Sequence, residues 1–554
     1  MAPVAGSTPL AEPVHPASTP ATTDGTILEL YPNPTTEQNH GEYVLVELDT
    51  PGEWTLTDGQ QTAELPEGPG TYAVSRHPNN TAAHTNEQII ETESHLRLAV
   101  SGDRLKLKRD GQAVDTVSYD HAPESHRWHH DREPNWQPDG FEPREPKTVE
   151  DKPLEAFVLP DATEPTLETL AEADDRLYLA AYTLESERVV EKLITADEQG
   201  VDVAVLVEGG PVGGVSTNQA ANLEKLTEAG ISPQVMTGEQ TRFRYHHPKY
   251  AVVDNRAVVL TENWNPSGIE GAENRGWGVV VESSKAADEV AAVFEHDASW
   301  DDTADWADAR EEIDTHEYES ASGEFDQHHA PKTTTAEQLT ILTAPDNALE
   351  ELERKIDAAD DRLVVVQPRI SDTDFRLLQA AIRAADRGVE VRILLGSQWY
   401  DEADNEQLAT ELRAQAEATN SSLAVRLAED TDRFGTIHSK GIVVDDTAVV
   451  GSLNWNNNSA KNNRELAVAL EDPAVADYYT EVFDGDWEAD EMQDDDDEIP
   501  VGVVLVSVAA AAGTVLVLKR RLEFAEAASQ QQSLFKRGSR RECFIKVSFG
   551  HFLD

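Results

Sequence analysis

The chain has 554 residues, with 45 Lys plus Arg against 105 Asp plus Glu, a formal net charge of −60, and 39% hydrophobic residues. That length suggests about three or four domains, and the recurrence of apolar periodic segments excludes a wholly disordered chain. The charge excludes a basic nucleic-acid-binding protein, and the single cysteine, Cys543, excludes an internal disulfide or a cysteine metal cage.

The acidity is spread along the whole chain, and lysine is scarce, at 15 residues against 30 arginines. Such a surface stays soluble in concentrated salt. It predicts a salt-adapted protein of the haloarchaeal type rather than a dedicated cation-binding or DNA-mimicking face. Residues 1–24 are rich in Pro, Ala and Thr, lack an apolar core and read as disordered.

From 25 to 140 the pattern is strand-like. Short alternating runs such as YVLVEL (Tyr43 to Leu48) and LRLAV (Leu96 to Val100) are separated by Gly, Pro and Asp turns, which predicts a small antiparallel sandwich. The segments ILELYPNP, GEWTLTDG, SGDRLKLKRDG and PNWQPDG resemble a lamin-tail domain, an immunoglobulin-like module. His121, His126, His129 and His130 read as imidazoles of a surface loop rather than as a metal site.

From 151 onward helical spacing alternates with buried strands such as VAVLV (Val203 to Val207) and VRILL (Val391 to Leu395), an α/β grammar. The unit occurs twice. Ala173-Asp174-Asp175-Arg176-Leu177 returns as Ala359-Asp360-Asp361-Arg362-Leu363, and Arg242-Phe243 returns as Arg433-Phe434. The repeats are placed at 151–300 and 336–487, with an acidic linker at 301–335.

An acidic spacer (488–498) leads into Ile499 to Leu518, whose only polar side chains are Ser507 and Thr514. Twenty helical residues reach about 30 Å, the thickness of a hydrocarbon core. Asp494 to Glu498 precede the run, and Lys519, Arg520 and Arg521 follow it. These flanks predict one transmembrane helix at 499–518, with the large N-terminal portion extracellular and the tail, 519–554, cytoplasmic. Export then needs either the span itself or a signal peptide ahead of Met1; the latter is expected.

Each repeat ends in His-x-Lys-(x)4-Asp: His247, Lys249 and Asp254, then His438, Lys440 and Asp445. Chance supplies roughly 0.05 such matches in a chain of this composition. On a strand, His and Lys two apart share a face, so both can meet one phosphate. A neutral imidazole can attack phosphorus, a protonated one can donate to a leaving oxygen, and Lys supplies fixed positive charge. Each Asp closes its strand, where it also suits a turn. Downstream lie Thr261 and Asn263, matched by Ser452 and Asn454, as donors for phosphate oxygens. Glu465 is a carboxylate able to orient an imidazole.

These residues resemble the phospholipase D superfamily, in the single-chain form with two HKD motifs. The resemblance implies two α/β/α sandwich halves meeting at one shared site, in a monomer, with no cofactor and no metal. By position it makes His247 the nucleophile of a phosphohistidine mechanism and His438 the general acid. It has Lys249, Lys440, Asn263 and Asn454 hold the phosphate, and sets Glu208 to Ser216 beside the site. The first copy departs from the pattern: Leu260 replaces a Gly, Thr261 replaces Ser, and Gly276 stands where the second copy has Glu465. One imidazole is thereby left without its carboxylate. His438 could then be the nucleophile, or the site could survive as a weakened phosphate-binding or adhesion module. The expected substrate is a phosphodiester, a phospholipid ahead of nucleic acid.

Overall fold

The computed structural model describes residues 24–493, apart from 37–38, 93–96, 133–134, 239–240, 319, 372 and 429–431. The expected transmembrane helix, the tail after it and residues 1–23 lie outside the described residues. Among the described residues no helix is long and apolar enough to cross a membrane.

The N-terminal strands form two sheets. One runs Trp136–Pro138, His126–His129, Gly25–Tyr31, Tyr43–Leu48, Gly70–Ser75, Gln88–Glu91, and the other Thr62–Glu64, Trp54–Thr57, Asp103–Arg109, Gln112–Tyr119. Alternation decides which side chains turn inward: Val44, Val46 and Leu48 are buried while Glu47 is exposed. They meet Leu56, Leu105 and Leu107 of the other sheet in one apolar core, so this unit is a sandwich. His129 is buried beside Glu29. Among the described residues no cluster of His, Cys, Asp and Glu is built to hold a metal.

The two repeats share one continuous mixed sheet, joined where Lys147–Leu159 pairs antiparallel with Lys332–Ala344. Outward from that seam the first repeat adds Asn274–Glu282, Arg256–Leu260, Tyr250–Val253, Arg176–Ala181, Asp202–Glu208, Gln234–Met236 and Thr303–Asp305. The second adds Glu465–Glu471, Thr447–Gly451, Ile442–Val444, Arg362–Gln367, Glu390–Leu395 and Leu423–Leu427 in the same relative order. Helix Glu187–Glu198 bridges the parallel pair Arg176–Ala181 and Asp202–Glu208, and helix Arg376–Arg387 bridges Arg362–Gln367 and Glu390–Leu395. On the latter, Leu377, Leu378, Ala381, Ile382 and Ala385 form one buried face, and Gly388 ends it at φ +99°. A single core spans the seam: Trp277 of the first repeat stacks on Tyr479 of the second, 4.4 Å between ring centres.

The stretch expected as a linker (301–335) is more ordered than its composition suggests. Thr303–Asp305 adds an edge strand, and Trp306 is buried in the first repeat's core. Helix Pro473–Gln493 likewise continues into the expected spacer.

Candidate active site

Each HKD segment feeds the first strand of a hairpin whose interior positions are wholly apolar, YAVV in one copy and IVV in the other. That burial fixes the strand, and the motif's His and Lys lie in the extended stretch just before it. Each histidine segment then pairs with the opposite repeat. The His247 N–H donates to the Arg464 carbonyl (3.0 Å), and the His438 N–H to the Arg275 carbonyl (3.1 Å). The two motifs are therefore carried to one place.

The imidazoles are oriented across the same pseudo-symmetry. His247 Nδ1 lies 2.8 Å from Glu465 Oε2, and His438 Nδ1 lies 3.0 Å from Glu262 Oε2. An ionised carboxylate only accepts, so each Nδ1 carries the proton and each Nε2 is left for chemistry. Neither repeat completes a dyad alone. Burial pushes His247 down to about 4, with Lys249 and Lys440 adding to the effect and Glu465 opposing it. His438 is lowered by burial too, against the pull of Glu262. Burial would raise the carboxyls of Glu262 and Glu465, but their histidine and lysine neighbours outweigh it and hold both below the ordinary range.

The lysines are buried beside them. Lys249 Nζ donates to the His247 carbonyl (2.6 Å), and Lys440 Nζ donates to the His438 carbonyl and, at 3.4 Å, to that of Thr261. Burial lowers Lys440 to about 8 and pushes Lys249 well below its ordinary value, where Lys440 also bears on it. Two desolvated ammonium groups and two imidazoles make a concentrated receptor for an anion.

Four other expected site residues use their side chains on the fold. Asp254 and Asp445, expected among the catalytic groups, sit in the turns that close their strands, at φ +52° and +48°. Asp254 accepts the backbone N–H groups of Asp174, Asp175 and Arg176 at 2.7–3.0 Å. Asp445 does the same for Asp360, Asp361 and Arg362 at 2.9–3.0 Å. Their oxygens are spent on the fold. Thr261 and Ser452, expected to bind substrate phosphate, are fully buried. Their hydroxyls accept the Trp277 N–H (2.9 Å) and the Leu466 N–H (3.1 Å), so they brace the neighbouring strand. Asn263 and Asn454 remain half-buried with no side-chain hydrogen bond among the described residues, as donors for a ligand require.

Sequence reasoning missed Glu262 and Tyr182, and had Glu208 only as the start of the loop beside the site. The Tyr182 ring stands 4.6 Å from that of His247 and its hydroxyl accepts the Val212 N–H (2.6 Å), which places the Glu208–Ser216 loop beside the site. Glu208 accepts the His246 N–H at 2.6 Å, fixing the residue before the nucleophile candidate. The Leu260 departure has a local reason. Leu260 faces Gly278 across the ladder, whereas Gly451 faces Ala467, so the bulk has changed strands.

Residues 166–298 and 352–487 each match the family model described as cardiolipin synthase, PLD-like domain. Each repeat is a PLD-like domain. A phospholipase D from Rickettsia conorii is 29% identical over 142 residues, 25% of this chain, and the chain spans 64% of that protein's length. Among solved structures, phosphatidylserine synthase from Haemophilus influenzae Rd KW20 has a TM-score of 0.44 at 14% identity, covering 60% of this chain and 83% of its own. A phospholipase D family member, Nuc, from Salmonella typhimurium has a TM-score of 0.24 at 19% identity, covering 29% and 98%.

Proposed function

We propose that this protein hydrolyses or transfers phosphodiesters, phospholipid being the substrate class, through a phosphohistidine formed on His247. The reading rests on the two crossed imidazole–carboxylate dyads around a pair of buried lysines. His247, the imidazole pushed down to about 4, is neutral at working pH and offers a lone pair on Nε2. That nitrogen attacks phosphorus while the bond to the leaving oxygen breaks, and His438 gives the oxygen its proton. Water, or an alcohol in transfer, then attacks the same phosphorus. His438 takes its proton back, the P–N bond breaks, and both imidazoles are restored. Lys249, Lys440, Asn263 and Asn454 meet the charge that gathers on the phosphoryl oxygens.

The rim of the site favours lipid. Among the described residues the exposed large hydrophobics are Val212 (75%), Tyr318 (50%), Trp399 (86%) and Tyr400 (62%). Val212 hangs from Tyr182 beside His247, and the Tyr318 hydroxyl donates to the adjoining Gly213 carbonyl. Trp399 and Tyr400 follow Gln398, whose amide donates to the Ile437 carbonyl next to His438. Aromatic and aliphatic side chains set around a phosphate site suit a lipid–water boundary. A surface of −60 repels anionic lipid at low ionic strength, but at molar salt the screening length is about 3 Å. Anchoring through Ile499 to Leu518, with the site outside the cell, belongs to the same proposal.

The test is turnover by the full chain in molar salt of bis(p-nitrophenyl) phosphate, phosphatidylcholine vesicles and plasmid DNA. The expected result is cleavage of the first two, lost in His247→Ala and in His438→Ala. Trp399→Ser/Tyr400→Ser should lower only the vesicle rate. Cleavage of DNA but not of vesicles would make the protein a nuclease, and no turnover of any substrate would leave a phosphate-binding or adhesion protein.

A further inference from the structure

The two dyads that serve this proposed chemistry are built differently. Antiparallel pairing equates Leu260 with Gly451, each on the inner strand of its hairpin, and Gly278 with Ala467 on the next strand. Two residues back along that next strand stand Gly276 and Glu465. The seam gives the same equivalence, since Gly276 pairs with Leu159 and Glu465 with Ala344, each followed by a proline. Two residues forward on the inner strands stand Glu262 and Leu453. Continued by two residues, the ladder sets Glu262 opposite Gly276, and Leu453 opposite Glu465. Directly opposed residues of an antiparallel pair project to the same face.

We infer that Glu262 is the positioning residue for His438, and that the carboxylate which the second repeat carries at Glu465 has crossed the ladder to the facing position in the first. The space at Gly276 is part of the same change. A Cβ there would lie 2.1 Å from Glu262 Cγ and 2.7 Å from its Cδ, far inside any real contact. The Glu262 side chain fills the volume a residue at 276 would need. The second repeat keeps apolar Leu453, buried in its core, where the first has the acid.

The secondary support has followed the carboxylate. Asn274 Nδ2 donates to Glu262 Oε2 at 2.8 Å, while its counterpart Asn463 donates to Glu465 Oε1 at 3.1 Å. Thr261, the neighbour of Glu262, donates its hydroxyl to Glu262 Oε1 at 3.2 Å. Glu262 is 0% exposed, with His438, Asn274 and Thr261 around it. The gap at Gly276 is therefore not a lost dyad, and the first repeat carries its full share of the site.

The test exchanges the two positions. Glu262→Leu should lower kcat by about 100-fold or more. Gly276→Glu alone should be inactive, because two side chains then claim one space. Glu262→Leu/Gly276→Glu rebuilds the second repeat's arrangement and should recover kcat to within about tenfold of the starting chain. Glu262→Gln keeps shape and removes charge. It should leave the melting transition in place while moving the His438 limb of the pH–rate profile to lower pH. The substrate is bis(p-nitrophenyl) phosphate, and histidine ring 15N shifts give a readout independent of turnover: the Nδ1–H tautomer of His438 should be kept in the exchange variant and lost in Glu262→Leu. Because the inference rests on the proposed reaction, absence of turnover in the unmodified chain would count against that reaction, while the tautomer would still decide the role of Glu262. Full activity in Glu262→Leu, an unshifted profile in Glu262→Gln, or a folded exchange variant no better than Glu262→Leu would each overturn the inference.

Discussion

Replacing Arg464 by Met should unsettle the site from behind. The guanidinium is wholly buried, with Nη1 2.6 Å from Asp346 Oδ2 and Nη2 and Nε each 2.9 Å from Asp297. Neither carboxylate is exposed. Removing one partner of such a pair leaves buried charge uncompensated, at a cost of about 3–5 kcal/mol. Methionine has similar length and leaves no polar group of its own, so the loss isolates the charge. Its own carbonyl holds the His247 N–H and Glu465 is the next residue, so kcat should fall with stability. Chemical denaturation followed by tryptophan fluorescence, with kcat measured below the transition, gives both readouts. Arg464→Met/Asp297→Asn/Asp346→Asn removes the stranded charges and should recover much of the stability, since a buried pair replaced as a whole is often near neutral. A loss below about 1 kcal/mol for the single change, or a triple variant no better than it, would refute the reasoning.

Two further outcomes follow from the geometry. Asp254→Ala and Asp445→Ala each strip acceptors from three backbone N–H groups, so each should lower stability by about 1–2 kcal/mol. Their kcat/KM should stay within about threefold at temperatures where the fold persists, and a stably folded variant without activity would return these residues to the chemistry. The pH profile of kcat/KM reports the free protein. With a phospholipid, whose leaving alcohol needs a proton, a neutral His247 and a protonated His438 are both required, so activity should fall below pH about 4, as His247 takes a proton. It should also fall on the alkaline side at a pH below the ordinary imidazole value of 6.5, because His438 is lowered by burial and gives up its proton early. An optimum above pH 7.5 would contradict this assignment.

The duplicated α/β order and the imidazole–lysine pairs were legible because both leave periodic marks: apolar strand runs at a near-constant offset, and a spacing that chance does not reproduce. The crossed dyad was not. Aligning the copies position by position sets Gly276 under Glu465 and finds a gap, while Glu262 is opposite Gly276 only once Leu260 pairs with Gly278. A carboxylate on the facing strand, next to a vacated glycine, is the signal that could have found it. Thr261 and Ser452 carry hydroxyls suited to phosphate or to backbone, and only strand register gives them the N–H groups of Trp277 and Leu466. The acidic composition around Trp306 resembles a linker because surface charge dominates it, and the single buried indole that docks the segment leaves no period.

The most direct measurement follows bis(p-nitrophenyl) phosphate through a single turnover, with alkaline quenching and peptide mass mapping. Attack by His247 expels p-nitrophenolate and leaves a p-nitrophenylphosphoryl group on its Nε2. This leaving group needs no proton, so His438→Ala should still form the adduct and accumulate it. The prediction is an adduct on the His247 peptide, stronger in His438→Ala and absent in His247→Ala. Turnover that persists in His247→Ala, or release of p-nitrophenolate with no histidine adduct at any time, would contradict the mechanism.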